Sequence, residues 1–320
     1  MRKRTIANTG LQGGVMGLGC NRLLDPTNAD MVKVAHTAID LGMNQFDGAD
    51  VYGNGRCEIF LGKVLKDRRN EAIIVSKFGM IRTDKGVVVN VRPDYVKQAC
   101  EASLKRLGMD CIDLYYQHRM DPDVPIEDTI GAMADLVKAG KVKAIGICTT
   151  TAELIRRAHK THPLAVVQME YSLMERGVET DVLPVCKELG ITFVAYGPLT
   201  YAFLTGEVQK QADVAQDDPF RLRQSRFTEE AIAQNLKLLT ALKSVAKEAN
   251  ATPAQIALAW CLHRPWDVLP IPGSSRPDHL HENAAAADIA LTPDQVRRLD
   301  AAFAPDAPKG DGGPSTVPGR

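Results

Sequence analysis

The chain carries no excess of charge of either sign: 39 basic and 39 acidic side chains cancel over 320 residues. That balance gives neither a polyanion nor an acidic membrane surface anything to hold, so no nucleic-acid or membrane partner is expected. Paired cysteines are missing too. The seven that occur, Cys20, Cys57, Cys100, Cys111, Cys148, Cys186 and Cys261, form no Cys-x-x-Cys, and no histidines cluster at metal-ligand spacing. Neither a disulfide framework nor a metal site is expected. No apolar run is long enough to span a bilayer, and the basic start Met1-Arg2-Lys3-Arg4-Thr5 has no apolar segment behind it to act as a secretory signal. A soluble, cytoplasmic protein is expected. A strand-linked Gly-x-Gly-x-x-Gly is also absent, since Gly17-Leu18-Gly19 is only a fragment of one, and this removes the main warrant for a Rossmann domain. Because no Pro/Gly/Ser linker divides the chain, residues 1–320 are expected to form a single domain, its oligomeric state left open.

What the chain has is a hydrophobic content of 45% arranged in regular alternation. Short apolar runs near 15–19, 44–47, 73–77, 112–117, 142–147, 165–169, 191–196 and 267–271 predict strands. Between them, stretches of helical period near 28–42, 57–67, 92–107, 126–139, 151–160, 180–189, 229–249 and 277–285 predict helices. Eight such units are the count of an α/β (β/α)8 TIM barrel. Outside the alternation lie an N-terminal stretch with the turn Asn8-Thr9-Gly10, expected as a β-hairpin plugging the barrel bottom, and extra helices near 253–263 and 293–303. A long insertion at 199–228 contains Gly206, Asp217-Asp218-Pro219, Arg221, Arg223 and Arg226. From Ala304 a Pro/Gly-rich tail is expected to be mobile.

The carboxyl ends of barrel strands share one face, where such barrels keep their chemistry. Several predicted strands end on reactive side chains: Asp47 leading to Tyr52, Lys77, His118, and Tyr196. Each has an ordinary explanation when taken alone. Asp47 could cap a helix, Tyr52 could be a packing residue with a bonded hydroxyl, Lys77 could snorkel to water, and His118 could be a satisfied structural histidine. On one barrel face together they describe a proton-transfer site.

The segment Phe46-Asp47-Gly48-Ala49-Asp50-Val51-Tyr52-Gly53 closely resembles the strand-two signature of the aldo-keto reductase family. The resemblance continues through Gly62-Lys63, Ser76-Lys77, Leu104 to Gly108, Asp113 to His118, Gly140-Lys141-Val142, Gln168 with Glu170-Tyr171-Ser172, and Pro270-Ile271-Pro272-Gly273, covering residues 1 to about 303. It implies reduction of an aldehyde or ketone by NADPH, with NADH as the alternative coenzyme, and a small-molecule carbonyl substrate. Tyr52 would be the general acid, its pKa lowered by Lys77, which pairs with Asp47; His118 would orient and polarise the carbonyl oxygen. Cys148, Thr149 and Gln168 would face the nicotinamide carboxamide, and Tyr196 would lie on its ring, followed by Gly197 and Leu199. Gly273, Ser274, Ser275 and Arg276 would hold phosphate at a helix start, with Arg276 suited to a 2′-phosphate and Glu282 and Asn283 on the adenine side. Serine at 275 could alternatively cap that helix. Departures from the family pattern cluster at the coenzyme: Gly48 for threonine, Cys148-Thr149 for Ser-Asn or Ser-Glu, Gly197 for serine, and Thr200-Tyr201-Ala202 for a glycine-rich turn. Two other functions stay open: a coenzyme-binding regulatory or interaction subunit of the same fold, and an alcohol or sugar dehydrogenase. Met80, Ile81, Arg82, Arg119, Met120, Tyr201 and Phe220 are candidates for the substrate mouth.

Overall fold

The computed structural model describes residues 1–84, 86–214 and 218–311. Asp217 of the expected insertion and 312–320 of the expected tail lie outside the described residues. Eight parallel strands form one sheet: β1 (Leu18–Gly19), β2 (Gln45–Asp47), β3 (Ile73–Phe78), β4 (Ile112–Gln117), β5 (Val142–Cys148), β6 (Val166–Glu170), β7 (Thr192–Tyr196) and β8 (Val268–Pro270). Each pairs with its neighbours in sequence, and the sheet closes where Gly19 pairs in parallel with Gly273 and Gly17 N–H donates to Pro270 O at 3.1 Å. The expected (β/α)8 barrel is therefore met, with strand positions within a few residues of those read from the hydrophobic runs.

The near-continuous apolar character of these strands has a simple cause, since a parallel sheet in this fold is buried on both faces. Inside the barrel, Ile73, Val75, Leu114, Tyr116, Ala144, Val166, Val194 and Leu269 form one core with Ile6; outside, a larger core joins strands to helices. Ile6 enters from the hairpin Lys3–Thr5 and Gln12–Gly14, which closes the amino-terminal end of the barrel as expected. Asn44 fastens it there, accepting from Gly14 N–H at 2.9 Å and donating to Gln12 O. Glycine is required at Gly62, where helix Arg56–Val64 crosses Pro93–Leu107 so closely that a Cβ would lie 2.1 Å from Leu107 O.

Helix starts follow their caps: Asn28 for Ala29–Asp40, Thr151 for Ala152–Thr161, and capping boxes at Thr252 with Gln255 and Thr292 with Gln295. Two features depart from the expectations. The helix expected over 229–249 is two, Glu229–Asn235 and Leu239–Glu248, separated by a turn. A two-stranded hairpin, Met80–Thr83 with Gly86–Val89, stands after β3 and was not foreseen. The described part of the tail bonds to the insertion and to the helix after it: Asn235 exchanges hydrogen bonds with Lys309, and Asp311 N–H donates to Ser225 Oγ at 2.7 Å. Among the described residues, no helix is long and apolar enough to cross a membrane, and no three or more His, Cys, Asp or Glu gather as a metal site.

Candidate active site

Strand geometry places the four predicted catalytic residues at one end of the barrel. Asp47 is the last residue of β2, Lys77 the penultimate residue of β3, and His118 directly follows β4, its N–H donating to Phe78 O at 2.9 Å. Tyr52 comes in on the loop after β2. That loop folds back onto β3 because Gly48 N–H donates to Val75 O and Asp50 N–H to Lys77 O, each at 3.1 Å. Gly48 departs from the family pattern where space is tight: a Cβ would lie 3.0 Å from Leu61 Cδ1 and 3.1 Å from Val75 O.

Lys77 is fully buried and joins the others. Its Nζ donates to Asp47 Oδ1, to Gly48 O at 2.9 Å and to the Tyr52 hydroxyl at 3.5 Å. Burial is the largest single influence and lowers the lysine pKa, but the Asp47 carboxylate, then Tyr52 and Cys148, together outweigh it and hold Lys77 above the ordinary lysine value. The other carboxylate oxygen, Asp47 Oδ2, accepts from Gln168 Nε2 at 2.6 Å. The His118 ring stands edge-on to Tyr52, with centroids 5.8 Å apart. Burial, then the charges of Lys77 and Arg119, drives the His118 pKa well below the ordinary range, so the imidazole is neutral, and its Nδ1 is buried without a partner among the described residues.

Tyr52 corrects one expectation. Its pKa is pushed up to about 12, because burial outweighs the opposing charge of Lys77. The lysine moderates the cost of ionising the phenol without bringing it below the value of a free tyrosine.

The predicted coenzyme-facing residues follow the later strands. Cys148 ends β5 and is buried, its Sγ 3.9 Å from Gln168 Oε1, a weak contact where a hydroxyl would bond well. Thr149 N–H donates to Gln168 O, binding the ends of β5 and β6 together. Tyr196 ends β7 and is half-buried, with burial raising its pKa. Beyond Gly197 and Leu199, Thr200, Tyr201 and Ala202 hold φ of 49°, 52° and 75°. Each such non-glycine residue costs roughly 1–2 kcal/mol, and the turn is held by Thr200 N–H to Gly197 O at 2.8 Å and by the Ser172–Thr200 hydroxyl pair at 3.0 Å.

At the end of β8, Gly273 is exposed and the Ser274 hydroxyl accepts from Arg276 N–H at 3.1 Å. The N-cap of helix Pro277–Ala285 is Arg276, with Pro277 in the first turn, so Ser275 does not cap it. No side chain caps this helix, and among the described residues the exposed Arg276 guanidinium has no partner. An uncapped helix start beside a free guanidinium and serines is a donor set suited to a phosphate, although Asp278 in the first turn opposes it. Glu282 is engaged elsewhere, accepting from Thr252 Oγ1 at 2.5 Å, while Asn283 is buried on the same helix. Cys148, Tyr196 and Ser274 to Arg276 thus stand at or beyond the carboxyl ends of β5, β7 and β8, and Gln168 lies within β6, while Glu282 is committed to Thr252 at the start of the neighbouring helix.

Some residues were missed or left without a role. Gln168, expected at the nicotinamide carboxamide, also binds Asp47. Arg226, almost fully buried, ion-pairs with Glu170 at 2.8 Å. Arg119 donates from Nη1 to His118 O and to Thr149 Oγ1, both at 2.9 Å. A surface cavity of about 600 Å³ bordered by Gln12, Asn44, Arg69 and Lys143 lies at the hairpin end and includes none of the site residues.

The sequence model of the Aldo/keto reductase family matches residues 13–304, and the chain belongs to that family. Among solved structures, a thermostable aldo-keto reductase in complex with the inhibitor epalrestat is 31% identical, covering 94% of this chain and 100% of its own, with a TM-score of 0.77. The glycerol dehydrogenase of Gluconobacter oxydans is 25% identical over 96% of each chain, with a TM-score of 0.86. An aldo/keto reductase from Klebsiella pneumoniae, solved with NADP and acetate, is 26% identical over 95% of this chain and 96% of its own, with a TM-score of 0.73. The protein is accordingly an oxidoreductase of the aldo-keto reductase class.

Proposed function

We propose that the protein, acting as one barrel domain, uses NADPH to reduce an aldehyde or ketone to the alcohol, and that Tyr52, Lys77, Asp47 and His118 carry the chemistry. The observation that supports this best is the contact of buried Lys77 with both Asp47 and the Tyr52 hydroxyl, with neutral His118 beside them. NADP in the Klebsiella pneumoniae relative and the free Arg276 at an uncapped helix start support the choice of coenzyme. When bound, the coenzyme supplies a hydride to the carbonyl carbon. Tyr52 gives its proton to the carbonyl oxygen, and its raised pKa keeps that proton in place at neutral pH. His118 donates an N–H to the same oxygen. The Lys77 ammonium stabilises the phenolate left on Tyr52, and Asp47, braced by Gln168, holds Lys77 in position.

The glycerol dehydrogenase relative favours a second reading, in which the same site oxidises an alcohol and the Tyr52 phenolate accepts the proton. The free state of all seven cysteines supports a cytoplasmic setting. The test is NADPH consumption, followed by coenzyme absorbance over a panel of aldehydes and ketones, alongside a fluorescence titration of coenzyme binding. Turnover of at least one carbonyl compound is expected. Tight binding with no turnover in either direction would favour a regulatory subunit instead.

A further inference from the structure

We infer that Arg119 is the specificity-determining residue for substrate and that the preferred substrate is an aldehyde or ketone that also carries a carboxylate. The inference rests on the carbonyl-reduction reading and adds the substrate class to it.

Position comes first. The proposed catalytic side chains lie on or after β2, β3 and β4, and the proposed nicotinamide contacts begin at β5. Arg119 stands at that boundary, directly after His118. Its Nη1 bonds His118 O and Thr149 Oγ1, so the guanidinium is fixed between the group that would polarise the carbonyl and the wall that would face the nicotinamide. A guanidinium there reaches substituents of the reacting carbonyl.

Charge decides what those substituents are. Lys77 is neutralised by Asp47, and Arg226 by Glu170. His118 is neutral. Arg119 is different: both acceptors of Nη1 are uncharged oxygens, and among the described residues no carboxylate pairs with it. Beside the reacting groups, Arg119 thus keeps a positive charge with no carboxylate partner among the described residues, half-buried, with guanidinium donors to spare. A planar fork of that kind matches a carboxylate in two parallel hydrogen bonds and gives little to a neutral alkyl or aryl group. A role confined to holding the His118 loop would not need a full charge, since both acceptors it holds are neutral.

The test compares 2-, 3- and 4-formylbenzoate with their methyl esters, in the wild type and in Arg119→Gln and Arg119→Lys. For at least one isomer, the wild type is expected to show a kcat/KM for the acid roughly 10- to 100-fold above that for the ester, the range of a charge-assisted hydrogen bond. Arg119→Gln lowers kcat/KM for the acid by at least roughly 10-fold more than for the ester, which removes that preference, and Arg119→Lys restores part of it. A thermal-shift titration supplies a readout free of turnover: the preferred acid raises the Tm of wild type and of Tyr52→Phe but not of Arg119→Gln. Equal loss of acid and ester turnover in Arg119→Gln, or no preference for any acid in the wild type, overturns the assignment while leaving carbonyl reduction intact. Failure of the wild type to turn over esters, acids or any other carbonyl compound sinks the carbonyl-reduction reading and this inference with it.

Discussion

Replacing Lys77 by methionine removes an ammonium with three partners and leaves Asp47 as a carboxylate almost fully buried, held among the described residues by Gln168 Nε2 alone. Breaking one side of a buried ion pair costs about 3–5 kcal/mol, because the remaining charge has lost both water and partner. In a chain of this length each kcal/mol lowers Tm by roughly 2 °C, so Lys77→Met should melt roughly 6–10 °C below the wild type. Asp47→Asn should cost a similar amount, since it strands the ammonium. The double variant, however, holds two neutral groups of nearly native shape, and its loss should fall short of the sum by at least about 2 kcal/mol. The raised Lys77 pKa fixes the sign of the pH dependence: the lysine contribution is fully present below the ordinary lysine value and is lost only as pH climbs through the higher folded value. The coupling should therefore stay constant across the neutral range. Thermal unfolding of the four proteins by circular dichroism measures it. Single-variant losses that simply add would refute the buried pair as the element that organises the site.

Two other predictions concern the coenzyme and the acid. Arg276→Ala should weaken NADPH binding by roughly 10-fold, the lower end for a charge-assisted fork, while leaving NADH affinity unchanged in a fluorescence titration. With the Tyr52 pKa pushed up to about 12, the reductive kcat/KM should be flat through neutral and mildly alkaline pH, falling only as the acid ionises, while the oxidative rate climbs with pH. Steady-state profiles in both directions test this, and a reductive break near neutrality would contradict it.

The barrel was legible because buried parallel strands write themselves as apolar runs, and because Asp47, Lys77 and His118 sit where those runs end. Tyr52 was legible through its motif, but its ionisation was not: burial depends on how the loop from Gly48 to Gly55 folds over β3, which no spacing encodes. The Gln168–Asp47 bond joins residues far apart in the chain and exists only because β2 and β6 face each other across the barrel interior. A cap was the alternative open for Ser275 because serine caps well, and Pro277 in the first helical turn moves that position to Arg276. Thr200-Tyr201-Ala202 stood out as a substitution for glycines. Only the backbone shows that these three residues adopt the left-handed conformation without glycine. Arg119 was one mouth residue among several, and its lack of a carboxylate partner became visible only once the neighbouring charges were paired off.

The most direct measurement of the central claim is NADPH turnover by Tyr52→Phe, paired with a coenzyme-binding titration of the same variant. Loss of the hydroxyl should leave coenzyme affinity within roughly 2-fold of the wild type and reduce turnover of a good aldehyde by about 10²–10⁴-fold, the worth of general acid catalysis. Near-full turnover with coenzyme binding retained would show that the proton comes from elsewhere and that the Asp47–Lys77–Tyr52–His118 cluster is not the reaction centre.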